Sequence, residues 1–295
     1  MSIYERQNKD KMILCLKVQR CLYAKAKRIS AFKTIITLAG TCTFSILTTV
    51  YNNEKLNVVS IFLGLLILLI SFLLNKYINY IKRQAAGIQQ IFDTYVFQID
   101  VTIPVYRYMG LPDVPKSEKV IALAKKYEKR KVGNLKNWYS NYSYKSRANQ
   151  ILCCQKRNVR WDKSLRIKWL TIISSIYALI FLAIIVIGIH TDSMFTMFSA
   201  FAWMLPVIVN AGNSIDTLVK DIKRVDRIEN QLFEADKLKA NEDKLFKEVS
   251  GLQTTIYQHR IKCYMIPDWL YKICRKKMQQ EEDCISEEIK LELGA

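Results

Sequence analysis

Four stretches of this chain hold no charged residue, and each is about the length a helix needs to cross a bilayer. They cover residues 34–53, 56–75, 169–189 and 193–215. The second and third are almost pure hydrocarbon, VVSIFLGLLILLISFLL and TIISSIYALIFLAIIVIGI. The first and fourth are richer in Thr, Ser, Asn and Gly, and Pro206 lies inside the fourth. Both are read as spans because each is joined to a strongly apolar neighbour by a very short turn. The competing assignment is two spans plus two buried soluble helices.

Charge is segregated from these stretches. The chain is 51% hydrophobic yet carries a formal net charge of +19. Residues 1–33 contribute +7, residues 76–168 contribute +14, and residues 220–295 sum to zero. Of the 45 Lys and Arg residues, 44 lie in those three regions and one lies in a turn. The positive-inside rule therefore places both termini and the central region in the cytoplasm. No apolar run begins near Met1, so no signal peptide is expected. With 9 Gly, 5 Pro and no repeat, collagen-like, low-complexity and solenoid architectures are excluded.

The expected architecture is an all-α integral membrane protein. Four transmembrane helices form two hairpins, and a helical cytoplasmic domain is assembled from segments 1–33, 76–168 and 216–295. Ile81, Ala85, Ile88, Phe92, Tyr95 and Ile99 fall at helical spacing. Pro104, Gly110, Pro112 and Pro115 mark a break, and Ser117 can cap a helix running towards Gly133. The aromatic stretch NWYSNYSY, residues 137–144, reads as irregular. Residues 145–189 contain no Pro, and no Gly before Gly188, so one long helix can enter the third span from the cytoplasm. The fourth span can likewise continue to about Val249.

Two spans carry polar stripes. Thr34, Thr37, Thr41, Ser45 and Thr48 share one face of the first. Thr196, Ser199, Trp203, Pro206, Asn210, Asn213 and Thr217 share one face of the fourth. Such faces avoid lipid. They either line a pore built by several subunits or pack helices together, and the spacing alone leaves both open. No span holds a charge, which argues against a proton relay or charge-coupled transporter.

The eight cysteines contain no CxxC pair and there are only two histidines, so neither a zinc site nor a disulfide framework is expected. Cys153 and Cys154 are adjacent and suit packing, palmitoylation or redox chemistry. No phosphate-binding glycine loop or hydrolase motif occurs, and the chain reads as a non-enzyme without a cofactor. Lys33, Lys76, Lys82, Arg83, Arg166 and Lys168 lie at span ends and suit anionic lipid. Arg20, Tyr23, Lys27, Arg157, Arg160, Trp161 and Arg260 lie in segments dense in amides and aromatics. That mixture suits phosphate contact and base stacking. A small anionic nucleotide fits better than long nucleic acid, which the neutral C-terminal region would oppose.

Six blocks carry a family resemblance. ERQN at 5–8 and VQRCLYAKAK at 18–27 precede the first span, and GIQQIFDTYVFQI at 87–99 follows the second. CQKRNVRWDKSLR at 154–166 precedes the third, while LQTTIYQHR at 252–260 and IPDWLYKICR at 266–275 close the chain. In order and placement these resemble the SMODS-associated four-transmembrane effectors, which accompany cyclic-oligonucleotide synthetases. Val18, where a small Ala is expected, and the Lys-rich stretch 116–136 depart from the pattern. The resemblance implies bacterial anti-phage signalling at the inner membrane. A nucleotidyltransferase makes a cyclic di- or oligonucleotide, and the effector binds it, associates into a homo-oligomer and permeabilises the membrane. The rival expectation is a membrane-anchored scaffold or sensor that recruits a soluble partner without forming a pore.

Overall fold

A computed structural model describes residues 1–51, 54–100, 117–127, 129–142, 144, 146–189 and 194–292. Within the helices, side chains at 41, 42, 44–51, 54, 56, 57, 60, 117, 183, 184, 187–189, 194–207 and 292 lie outside that description. The described residues form eight α-helices and no strand: α1 (Ile3–Gln7), α2 (Asp10–Tyr51), α3 (Glu54–Phe97), α4 (Ser117–Tyr127), α5 (Arg147–Ile189), α6 (Met194–Asp236), α7 (Glu242–Lys262) and α8 (Asp268–Glu292). The Pro- and Gly-marked break at 104–115 lies outside the described residues.

Four of these helices exceed 40 residues, and each continues an uncharged stretch into a charged one without interruption. Hydrocarbon offers no partner for a free N–H or C=O, so the backbone must satisfy itself inside each segment. At 1.5 Å rise per residue, the 43-residue α5 is roughly 65 Å long. Helices α2 and α3 pack along each other, as do α5 and α6, giving two hairpins. Gly40 allows the first pair to approach closely: a Cβ there would come within 2.7 Å of Ile67 Cδ1.

Two of the described helices, Ile61–Phe97 and Arg147–Leu182, are long and apolar enough to cross a membrane. Only 6% of the apolar window of the first is buried inside the protein. A soluble core helix buries such a face, and this one presents Ile61, Phe62, Leu65, Leu68, Leu69, Phe72 and Leu73 outward.

The charged halves fold into one helical mass. Helix α7 bridges it, touching α3, α5 and α6, while α8 lies along α5 and α4 lies along α2. The core is built by Leu16, Ile88, Phe92, Phe97, Tyr139, Ile151, Leu152, Ile228, Leu232 and Leu245, all at most 2% exposed. Val18 is fully buried in the same cluster. The Tyr139 ring lies 6.1 Å from Phe92 and 5.4 Å from Phe97, centre to centre.

Local chemistry sets several boundaries. Ser2 and Glu5 form a capping box on α1. Helix α3 ends where Gln98 adopts φ 54° and Ile99 N–H donates back to the Thr94 carbonyl. Helix α6 stops at Asp236, short of Val249, because Asn241 caps a new helix through the Lys244 N–H with Glu242 and Asp243 in its first turn. Helix α4 stops at Tyr127 instead of nearing Gly133. Beyond it an irregular path sinks Leu135 and Tyr139 into the core, which a straight helix would not do.

Truncating Phe92 removes a fully buried ring from beneath the second span. Phe92→Ala should destabilise the solubilised protein by about 3–5 kcal/mol, and thermal unfolding in detergent measures it.

Candidate functional site: a basic aromatic cleft

Two buried ion networks frame the site. The first centres on Asp93 of α3, which has no exposed surface. Its Oδ1 accepts from the Tyr139 hydroxyl at 2.8 Å. Its Oδ2 accepts from Gln253 Nε2 at 3.0 Å and Arg260 Nη1 at 2.5 Å, both on α7. Gln253 also donates to Gln90 Oε1 at 3.0 Å and accepts from Gln155 Nε2 at 3.1 Å. Asn158 of α5 donates to the Tyr139 oxygen at 2.9 Å. The blocks at 87–99, 154–166 and 252–260 thus meet in one network. Burial, reinforced by Asp93, pushes the Tyr139 phenol up.

The second network lies nearer the spans. Arg166 of α5, 2% exposed, clasps Asp162 through Nε at 2.7 Å and Nη2 at 3.0 Å. Its Nη1 reaches the fully buried Asp221 of α6 at 2.9 Å. Asp221 also accepts from the Tyr264 N–H at 2.5 Å, tying the α7–α8 connection to α6. His259 Nε2 lies 2.8 Å from Asp162 Oδ2. Lys82 of α3 donates to the Cys263 carbonyl at 3.1 Å. Burial alone would raise the Asp162 carboxyl, but Arg166 and His259 outweigh it and hold it well below the usual carboxylate range.

Between the networks opens a cleft of about 350 Å³, within the range of small-ligand sites. Its walls come from α2, α5, α7, α8 and the irregular 129–142 segment. The ERQN block shapes the last of these. Gln7 pairs both backbone groups of Tyr139, donating to its carbonyl at 3.0 Å and accepting from its N–H at 2.7 Å. Asn8 bonds Asn137, whose φ of 56° suits an Asn. Trp138, between the two clamped residues, lines the cleft.

Six of the seven residues that the sequence marks as candidate ligand contacts line this cleft: Arg20, Tyr23, Lys27, Arg157, Trp161 and Arg260. Arg160 does not; it pairs with Glu282 at 2.6 Å, because its position on α5 faces the second half of α8. Lys27 is joined to Asp268 at 2.5 Å and Arg260 to Asp93. The other two arginines are different. The Arg20 guanidinium lies over the Trp138 ring, 5.9 Å from its centre. Burial, with Arg275 close by, lowers its pKa. Arg157, 5% exposed, lies 4.6 Å over Trp161 and donates to the Trp138 carbonyl at 2.6 Å and Gln279 Oε1 at 3.1 Å. Among the described residues, neither arginine has a carboxylate partner. Each therefore presents a guanidinium to an indole without a direct ion pair, the arrangement that suits an anion bearing a flat ring.

Sequence reasoning missed Trp138, His259, Tyr271 and Arg275 as cleft residues. NWYSNYSY did mark an aromatic irregular segment, but its placement depends on Gln7 and Asn8, about 130 residues earlier.

The polar stripes are partly visible. Thr34 is half-buried, and the Thr37 hydroxyl lies 2.9 Å from that of Ser71, inside the α2–α3 hairpin. Asn210 is half-buried and its Oδ1 accepts from Ser214 at 3.4 Å, whereas Asn213 is exposed. Thr41, Ser45, Thr48 and Ser199 lie outside the described side chains.

With this geometry in place, comparison with known families is decisive. The model of the SMODS-associating 4TM effector domain matches residues 1–289. The chain belongs to this family. It is a helical membrane effector associated with SMODS synthetases and thereby linked to cyclic-oligonucleotide signalling. No curated protein and no solved structure matches the chain.

The depressed pKa of Asp162 has a testable sign. Its stabilising contribution is complete above the unfolded value of about 3.9 and is lost as pH falls through the lower folded value. Asp162→Asn should therefore lower the melting temperature at neutral pH, and the gap to the parent protein should close below about pH 4. A gap constant across that range would refute the assignment.

Proposed function

We propose that this SMODS-associating 4TM effector is a ligand-gated, pore-forming component of bacterial anti-phage defence. A cyclic di- or oligonucleotide binds the basic aromatic cleft. Subunits associate, and the polar faces of the spans at 34–53 and 193–215 open a conductive path through the inner membrane. The spans at 56–75 and 169–189 complete the two hairpins, with both termini and the central region in the cytoplasm. The chain acts without catalysis and needs no cofactor.

The observation that carries the ligand assignment is the pair Arg20 and Arg157, each stacked on a tryptophan and lacking a carboxylate. A phosphodiester supplies the missing negative charge, and a base supplies a partner for Trp138, Trp161 and Tyr23. The cleft is walled by the cytoplasmic halves of α2 and α5, whose continuations are span helices. Closure around a ligand therefore tilts rods that enter the bilayer directly. Asn213 supports association, because an exposed amide at the end of a span is costly against lipid and is satisfied by water or by a second subunit.

Titration of the detergent-solubilised protein with cyclic nucleotides tests the cleft. Arg157→Gln should weaken binding about 10- to 100-fold, the loss expected for hydrogen bonds to a charged group. Undiminished affinity would remove the cleft from consideration. Liposomes holding the protein should leak dye only when the bound nucleotide is present. Asn210→Leu with Asn213→Leu should suppress that leakage while leaving insertion and binding intact. Tight liposomes with every nucleotide that binds would instead favour a scaffold that recruits a soluble partner.

A further inference from the structure

We infer that the first three turns of α8 rest on the bilayer and bind anionic phospholipid headgroups. Helix α8 has three distinct faces. Leu270, Cys274 and Met278 are buried against α5. Asp268, Tyr271, Arg275 and Gln279 line the cleft. The remaining face carries Trp269, Ile273, Lys276 and Gln280 at spacings of four, three and four, flanked by Lys272 and Lys277, and all six are exposed. Trp269 is 48% exposed and Ile273 69%, on adjacent turns of one helix.

Continuity with the span identifies the occupant. Trp269 meets Trp169 edge to face, with ring centres 5.9 Å apart and planes at 77°. Trp169 opens the uncharged stretch of α5, and Ile172, one turn further in, packs in the same cluster as Leu270 and Cys274. Ile167, just before that stretch, is 44% exposed on the same helix. The chain direction agrees. Lys168 Nζ lies 3.6 Å from Cys274 Sγ, whereas Arg160, two turns back, pairs with Glu282, so α8 starts beside the span and runs away from it. The exposed apolar pair thus sits at the depth where α5 leaves the membrane. Tryptophan is the residue that favours this layer, and lysines above it reach phosphate oxygens by extending their stems. Lys272, Lys276 and Lys277 on this half contrast with Glu281, Asp283, Glu287 and Glu288 further along, which an anionic surface repels. Helix α8 therefore touches the ligand cleft and the bilayer with different faces. The bilayer contact does not depend on which ligand the cleft takes.

The test uses the full chain with a benzophenone amino acid in place of Ile273 or, as control, of Glu288. Each is reconstituted in phosphatidylcholine vesicles with or without phosphatidylglycerol, irradiated and analysed by mass spectrometry. The expected result is phospholipid adducts from position 273 and none from 288. Yield at 273 should be severalfold higher with phosphatidylglycerol. Changing Lys272, Lys276 and Lys277 to Gln should abolish that excess without lowering the yield in phosphatidylcholine alone. Crosslinks from 273 to another protein chain, absence of lipid adducts, or equal labelling at 288 would overturn the proposal. An excess that survives loss of the three lysines would overturn the headgroup assignment.

Discussion

Asp93 has no surface in contact with water, and burying an unpaired carboxylate there would be costly. What makes it tolerable is that two distant pieces of chain deliver three donors to it at once: Tyr139 from an irregular segment, and Gln253 and Arg260 from α7. Removing any one would leave charge or polarity stranded. The requirement therefore dictates how α3, α5, α7 and the 129–142 segment sit together. The cleft is the space left beside them. Arg166 and Asp221 impose the same discipline nearer the spans, joining α5 to α6 and to the α7–α8 connection.

A second constraint comes from the bilayer. Backbone groups in hydrocarbon must bond within their own helix, so the apolar stretches of α3 and α5 are uninterrupted, and in this protein the helices simply continue into charged segments. The consequence is mechanical. Arg157 and Trp161 sit on the same helix as the third uncharged stretch, with the Arg166–Asp162–Asp221 network between them and that stretch. The cleft, the two hairpins and α8 are thus one connected set of elements.

Much of the scaffold was legible from local pattern. The run without Pro or early Gly forms one helix over Arg147–Ile189, and the irregular aromatic segment is irregular in its described residues. Misreadings arose where two local signals competed. Periodicity alone carried α6 to Val249, whereas Asn241, Glu242 and Asp243 provide a start signal strong enough to break it. The polar stripe of the first span was legible as a stripe, but spacing could not tell that Thr37 would meet Ser71 within its own hairpin. At the cleft, Arg20, Tyr23, Arg157 and Trp161 were found by composition. Trp138 and Arg275 were missed although the stretches at 137–144 and 266–275 contain them, because only the clamps from Gln7 and Asn8 and the packing of α8 on α5 bring them to the cleft.

The sequence by itself determined where the uncharged apolar stretches lie, that positive charge is segregated from them, and that the described residues are mostly helical. Hydropathy and periodicity are properties of neighbours along the chain, and they survive any arrangement of the helices. Which arginines lack an ion-pair partner was decided only by the tertiary structure. Arg157, Arg160 and Arg166 lie within ten residues of one another in a single block. Yet the first faces a tryptophan, the second a glutamate of α8, and the third two aspartates. Those partners come from segments 55 or more residues away, except Trp161 and Asp162 on the same helix, so only folding assigns each guanidinium its surroundings.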